Sequence, residues 1–241
     1  VWFDGACGEG PNGTRQEYDW DSYYALVRQL QPEAAIAICG PDVRWVGNES
    51  GLAREDEWSV VAGPRGQGER GVDFLEVDNG ANDLGSRDNL AESEVSFWYP
   101  AECDVSIRPG WFYHASQDLQ VKSLEHLLDI YYRSVGRNSV LLLNVPPDQR
   151  GLFHENDVAR LKELRAVLDA TFGEDVARLA QGGSAAVDGA RDSHWSAQSD
   201  IDVLTLDLGA EKTVDRLLLQ EAIKEGQRVE RFVLEGLHEG Q

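Results

Sequence analysis

AAIAICG, residues Ala34 to Gly40, is a short continuous apolar run with no alternation. Such a run has to be covered on both faces, as a strand inside a parallel sheet is. The neighbouring segments extend that reading. Upstream, Val1 to Phe3 reads as the end of another buried strand. Asp19 to Leu30 then carries Trp20, Tyr23, Tyr24, Leu26, Val27 and Leu30 at helical spacing, with Asp19 or Asp21 available as the N-cap. Downstream, DVSIR (Asp104 to Arg108) reads as a strand, and VKSLEHLLDIYYRSVG (Val121 to Gly136) as an amphipathic helix stopped by Gly136. SVLLLNVPP (Ser139 to Pro147) reads as a further buried strand, followed by a helix from about His154 to Phe172. Strand, loop and helix in repetition, with polar residues where strands end, predict an α/β chain folded as part of a (β/α)8 TIM-like barrel. About four strands are legible where a barrel needs eight, so the expected unit over residues 1–172 is the second half of a barrel.

After a linker at 173–182 the texture changes. VLTLDLG alternates Val203, Thr205 and Asp207 against Leu204, Leu206 and Leu208, and VDRLLLQE and RVERFVLEG follow between charged turns. Short alternating strands of this kind predict an antiparallel β-sandwich over 183–241, incomplete at Gln241. Between Gly40 and about Pro100 the chain is polar, rich in Gly and too long for an ordinary connection, so it is expected to carry function or an inserted subelement.

The 241 residues hold 43 acidic and 22 basic side chains, a formal charge of -21 that repels polyanions and argues against a nucleic-acid partner. No apolar run approaches the roughly 20 residues of a membrane helix, so no membrane insertion is expected. Cys7, Cys39 and Cys103 are odd in number and far apart, with no CxxC or Cys/His spacing. They predict buried or half-buried thiols, and no metal or other cofactor. Met is absent altogether, from which a fragment is expected, cut at its front edge.

In a barrel, reactive groups sit where strands end at the C-terminal face. Asp4 directly follows an apolar strand, either as such a group or as the first residue of an Asp-Gly turn. The next strand leads into GPDVRWVGNESG, which puts Glu49 on the adjacent rim loop beside Arg44 and Trp45. Two carboxylates on neighbouring strand ends are what glycoside hydrolysis uses, although Glu9, Asp42, Glu55, Asp56 and Glu57 share these loops. Trp2, Trp45, Trp111 and Tyr113 lie on or near the rim. Aromatic faces pack on pyranose rings, while a cation such as Arg44 binds hydroxyls or carboxylates. Core packing is the competing reading of each Trp.

WFDGACGEGPNG, CGPDVRWVGNESGLAREDEWSVV, ECDVSIRPGWFYH and VKSLEHLLDIYYRSVGRNSVLLLNVPPDQRGL occur in this order. Together they resemble the second half of the catalytic barrel of glycoside hydrolase family 29 α-L-fucosidases, in the branch acting on α-1,3/1,4-linked fucose. The resemblance covers about residues 1–172. It implies a retaining exo-α-L-fucosidase in which Asp4 is the nucleophile and Glu49 the acid/base. Trp2, Arg44 and Trp111 are implied to contact fucose, and the partner is a fucosylated oligosaccharide or glycoconjugate. It implies as well that the first half of the barrel, with its own fucose-binding residues, is missing from this stretch, which leaves the fragment inactive alone. An extracellular or periplasmic location of the full-length protein is also implied. Residues from about Gly183 resemble the start of a discoidin-type, galactose-binding-like sandwich. A non-catalytic glycan-binding protein is the alternative, against which retention of both acids argues.

Overall fold

The computed structural model describes residues 1–5, 11 and 13–237. Most of the glycine-rich segment expected to loop away from Asp4, the Cys7 thiol and Glu9 lie outside the described residues. The chain divides into two compact units, Val1–Leu164 and Arg165–Gln241.

The first unit runs β1 (Trp2–Phe3), α1 (Trp20–Leu30), β2 (Ala37–Ile38), β3 (Val43–Trp45), β4 (Val60–Gly63), α2 (Arg87–Glu92) and β5 (Val95–Trp98). It continues with β6 (Ala101–Ser106), α3 (Leu124–Ser134), β7 (Val140–Asn144) and the start of α4 (Glu155–Phe172). Five strands make one parallel sheet in the order β1-β2-β3-β6-β7, advancing along the chain as the wall of a (β/α) barrel does. β4 and β5 form a separate antiparallel pair. They are the inserted subelement within the long polar stretch.

The helices start at capping side chains, Asp19 as expected and Ser123 two residues into the helix expected from Val121. Asp19 Oδ1 accepts the Ser22 N–H at 3.3 Å and Ser123 Oγ accepts the His126 N–H at 3.2 Å. α1 lays Trp20 and Tyr24 against Phe3, with ring centroids 5.8 and 6.2 Å away, and this cluster continues to Phe74, Phe97 and Tyr99. Leu26 and Leu30, on the expected apolar stripe, are exposed.

The Ala34–Gly40 run differs from the single strand expected of it. It contributes only β2, and the chain then folds straight back into β3 as the parallel neighbour of β2. Parallel neighbours ordinarily need a long crossover. Here Asp42 makes the short one possible: its Oδ2 accepts the Ile36 N–H at 2.7 Å, while the Asp42 and Val43 N–H groups donate to the Ile36 carbonyl at 3.1 and 3.3 Å. A Cβ on Gly40 would run into Ile36, so this turn requires glycine.

Register and alternation divide the sheet into two faces. Phe3, Arg44, Ala101, Cys103 and Val105 point to one, where Cys103 and Ala101 are fully buried. There burial pushes the Cys103 thiol up to about 11, although its Sγ lies 3.1 Å from Ser139 Oγ. Cys39 is half-buried. Arg44 therefore departs from its expected place at a sugar. It is 0% exposed, donates to the carbonyls of Tyr99 and Trp58 at 2.9 Å each, and pairs with the equally buried Glu57. Burial depresses the guanidinium pKa against the raising effect of Glu57. In a three-residue strand Trp45 takes the other face, and Arg44 is left with the core.

The second unit holds the end of α4, a short α5 (Ser184–Val187) and one antiparallel bridge. In that bridge Gln181 and Asp207 exchange N–H to carbonyl bonds of 2.8 Å each. Among its described residues the alternating segments at 203–208, 214–221 and 228–236 form no ladder, and Val203, Leu218 and Val233 stay exposed. Alternation buries an apolar face only when a second sheet lies over it, and none does among the described residues of this unit.

The buried Arg44–Glu57 pair makes a stability prediction. Glu57→Ala strands a buried guanidinium and is expected to cost about 3–5 kcal/mol in urea unfolding, whereas Arg44→Met with Glu57→Leu recovers most of the loss. A Glu57→Ala loss below about 1 kcal/mol contradicts the assignment.

Candidate active site

All strands of the parallel sheet end at one edge, and that edge collects the candidate acids. β1 ends at Phe3 and hands directly to Asp4; β3 ends at Trp45, four residues before Glu49. Both side chains are exposed. Below them, the face opposite the Arg44 core carries Trp2, Trp45, Glu102, Asp104 and Ser106, an assignment set by the Trp45↔Glu102 register and by alternation along β6.

Indole N–H groups meet carboxylates across this face. Trp2 Nε1 donates to Glu102 Oε1 at 2.8 Å and Trp45 Nε1 to Asp104 Oδ1 at 2.7 Å. At the rim, Trp111 Nε1 donates to Glu49 Oε2 at 3.1 Å. Glu102 and Asp104 are buried, and burial is the main cause that raises both carboxyl pKa values; the indole bonds pull them partly back. The charges of Glu49 and Asp4 raise Asp104 further, which brings the two rim acids into the surroundings of one buried carboxyl.

The Glu49 loop is held at both ends. Asn48 Oδ1 accepts the Ser50 N–H at 3.0 Å, and its Nδ2 donates to the Leu52 carbonyl at 2.8 Å. Gly47 and Gly51 have φ of 100° and 72°, and a Cβ on Gly51 would lie 2.8 Å from Val105 Cγ1, so neither position tolerates a side chain. The Trp111 segment is braced from β6 and β7. Ser106 Oγ donates to the Gly110 carbonyl at 2.7 Å, and Asn144 Nδ2 donates to Ser106 Oγ and the Trp111 carbonyl, each at 3.0 Å.

Of the residues expected at the site, Asp4, Glu49, Trp2 and Trp111 lie on this edge or face, and Arg44 does not. Trp2 is 42% exposed, so its ring offers an open apolar surface beside the acids. His114 and His126 are exposed, and Tyr113 donates to Asp118 at 3.3 Å. Glu102, Asp104, Ser106 and Asn144 join the site only in the structure. The signal for three of them is the alternation in ECDVSIR, where Glu102, Asp104 and Ser106 interleave with Cys103, Val105 and Ile107.

Residues 70–171 match the family model described as alpha-L-fucosidase, a span that holds Glu102, Asp104, Trp111 and Asn144 and follows Asp4 and Glu49. The chain is 37% identical to alpha-L-fucosidase 1 of Arabidopsis thaliana over 98% of its own length and 47% of that protein's. The chain is a relative of the α-L-fucosidases. It spans about half the length of the curated relatives it matches. Among solved structures, a candidate α-L-fucosidase from Bacteroides ovatus is 54% identical with a TM-score of 0.66, over 76% of this chain and 32% of that one. A Ruminococcus gnavus GH29 fucosidase solved with fucose is 26% identical with a TM-score of 0.60, over 81% and 41%. With these neighbours, the parallel sheet has the form of a partial TIM-like barrel.

The raised carboxyls give a pH prediction. Glu102 and Asp104 keep their protons to higher pH when folded than when unfolded, so folding takes up protons and stability falls as pH rises from the ordinary carboxylate value through the raised one. Asp104→Asn keeps an oxygen for the Trp45 indole and removes one of these titrations. Relative to the parent its unfolding free energy is expected to climb across that window and to level off above it. A difference that stays flat from pH 4 to 7 contradicts the burial assigned to Asp104.

Proposed function

We propose that this chain supplies the acid-bearing half of the barrel of a retaining exo-α-L-fucosidase that removes α-1,3/1,4-linked fucose from branched glycans. The observation that carries the reading is the placement of Asp4 and Glu49 on one edge of a parallel sheet, both acting on Asp104, with the second held by an indole. Kinship with α-L-fucosidases supplies the sugar. The GNE segment around Glu49 supports the branch, through the resemblance noted above.

In the proposed double displacement, an Asp4 oxygen attacks the anomeric carbon as the bond to the glycan oxygen breaks, and Glu49 gives that oxygen its proton. Glu49 then takes a proton from water, whose oxygen attacks the anomeric carbon and releases Asp4. The rings of Trp2 and Trp111 wall the sugar on either side of the acids. β1 and β7 are the two edges of the sheet, where the rest of a barrel would pair; the twofold greater length of the relatives supports that arrangement. For residues 183–241 the start of a galactose-binding-like sandwich remains our reading, supported by the alternation from Val203 to Leu208 and by the Gln181–Asp207 bridge.

The test uses the protein that contains the whole barrel. It is expected to release fucose from a Lewis-type trisaccharide, with the α-anomer formed first by NMR. Asp4→Asn is expected to lose about 10³-fold or more in kcat/KM. First formation of β-fucose, or full activity in Asp4→Asn, overturns the reading.

A further inference from the structure

The amide of Asn144 is engaged in a way that points to a role in proton transfer without contact to substrate. Asn144 closes β7 and stands opposite Ser106, the last residue of β6, in the parallel register. Its Nδ2 carries two hydrogens, and both are taken: one by Ser106 Oγ and one by the Trp111 carbonyl, each at 3.0 Å. Ser106 is engaged as well, since its hydroxyl donates to the Gly110 carbonyl at 2.7 Å and accepts the Arg108 N–H at 3.3 Å. The donors of these two side chains thus serve the 108–111 turn and leave none for a sugar hydroxyl. What the turn delivers is the Trp111 indole, whose Nε1 reaches Glu49 Oε2 at 3.1 Å.

An indole N–H donates and never accepts. It bonds a carboxylate oxygen or the carbonyl oxygen of the protonated acid, and the hydroxyl oxygen of that acid is the poorer acceptor. The bond to Oε2 therefore favours the proton of Glu49 on Oε1. We infer that Asn144 is a positioning residue for the proton donor: through Ser106 and the Trp111 carbonyl it sets the indole, which holds Glu49 Oε2 and reserves Oε1 for the transferred proton. The inference rests on the reading of Glu49 as acid/base. In the first step the Oε1–H bond breaks and its proton goes to the glycosidic oxygen as that oxygen leaves with the electron pair of its bond to carbon. In the second, Oε1 receives a proton from water.

A misplaced acid hurts most where the leaving group needs a proton. In the protein with the complete barrel, Asn144→Ala is expected to lower kcat/KM about 10- to 100-fold on a fucosylated trisaccharide, but less than about threefold on 2,4-dinitrophenyl fucoside, which departs without a proton. Ser106→Ala removes the same brace from the other strand, and it gives the same split if Asn144→Ala does not fold. Equal losses on both substrates, or no loss on the trisaccharide, overturn the inference. Glu49→Gln run beside them separates the two claims. If it shows no leaving-group split, the acid/base reading itself fails. If it shows the split and the brace variants do not, only the role of Asn144 fails.

Discussion

Hydrogen bonds from indole to carboxylate, strung across one face of the sheet and its rim, are the constraint on which the candidate site rests. A carboxyl on the inner face of a parallel sheet has lost much of its water, and leaving it without a donor is costly. Trp2 answers Glu102 from β1, across β2 and β3, and Trp45 answers Asp104 from one step along the ladder that β3 shares with β6. The indole does two jobs at once. Its N–H satisfies the acid while its ring presents an apolar wall beside the rim, so the groups that make the acids tolerable also suit a pyranose. The same pairing recurs at the rim between Trp111 and Glu49, where the acid is exposed.

The other face of the sheet holds the platform still. Phe3 packs on α1, and the aromatic cluster runs on to Tyr99, whose hydroxyl donates to the Gly40 carbonyl at 2.8 Å and so ties β5 to the turn between β2 and β3. Arg44 sits in this layer with Glu57. Rim and core are thus linked through β3, which sends Arg44 into one face and Trp45 into the other. A shift of one residue in that strand would bury the indole and expose the guanidinium among the acids.

Much of this was legible from the residues. The helix start at Asp19 follows from a side chain that caps, whereas the helix expected from Val121 starts only at Leu124, after the Ser123 cap, and the apolar run before Asp4 puts that acid at a strand end. The burial of Arg44 is not legible because a three-residue strand gives alternation too little length to tell its faces apart. Ala34–Gly40 reads as one strand because the Asp42 turn that divides it is made by contacts to Ile36, which composition does not reveal. Glu102 and Asp104 do not stand out in the sequence for a different reason. Their alternation is visible, but acids inside a buried strand make sense only once the indoles facing them are known. The alternating segments after Val203 carry a strand pattern with no ladder, since pairing is non-local and the pattern does not name its partner.

The most direct test of the central claim, that Asp4 is the group that attacks the sugar, is to trap it. Incubating the protein that contains the whole barrel with 2-deoxy-2-fluoro-fucosyl fluoride, followed by peptide mapping by mass spectrometry, should find a single fluorofucosyl group on Asp4. A label on Asp104, Glu102 or Glu49, or turnover of a fucoside with no label on Asp4, would contradict the account.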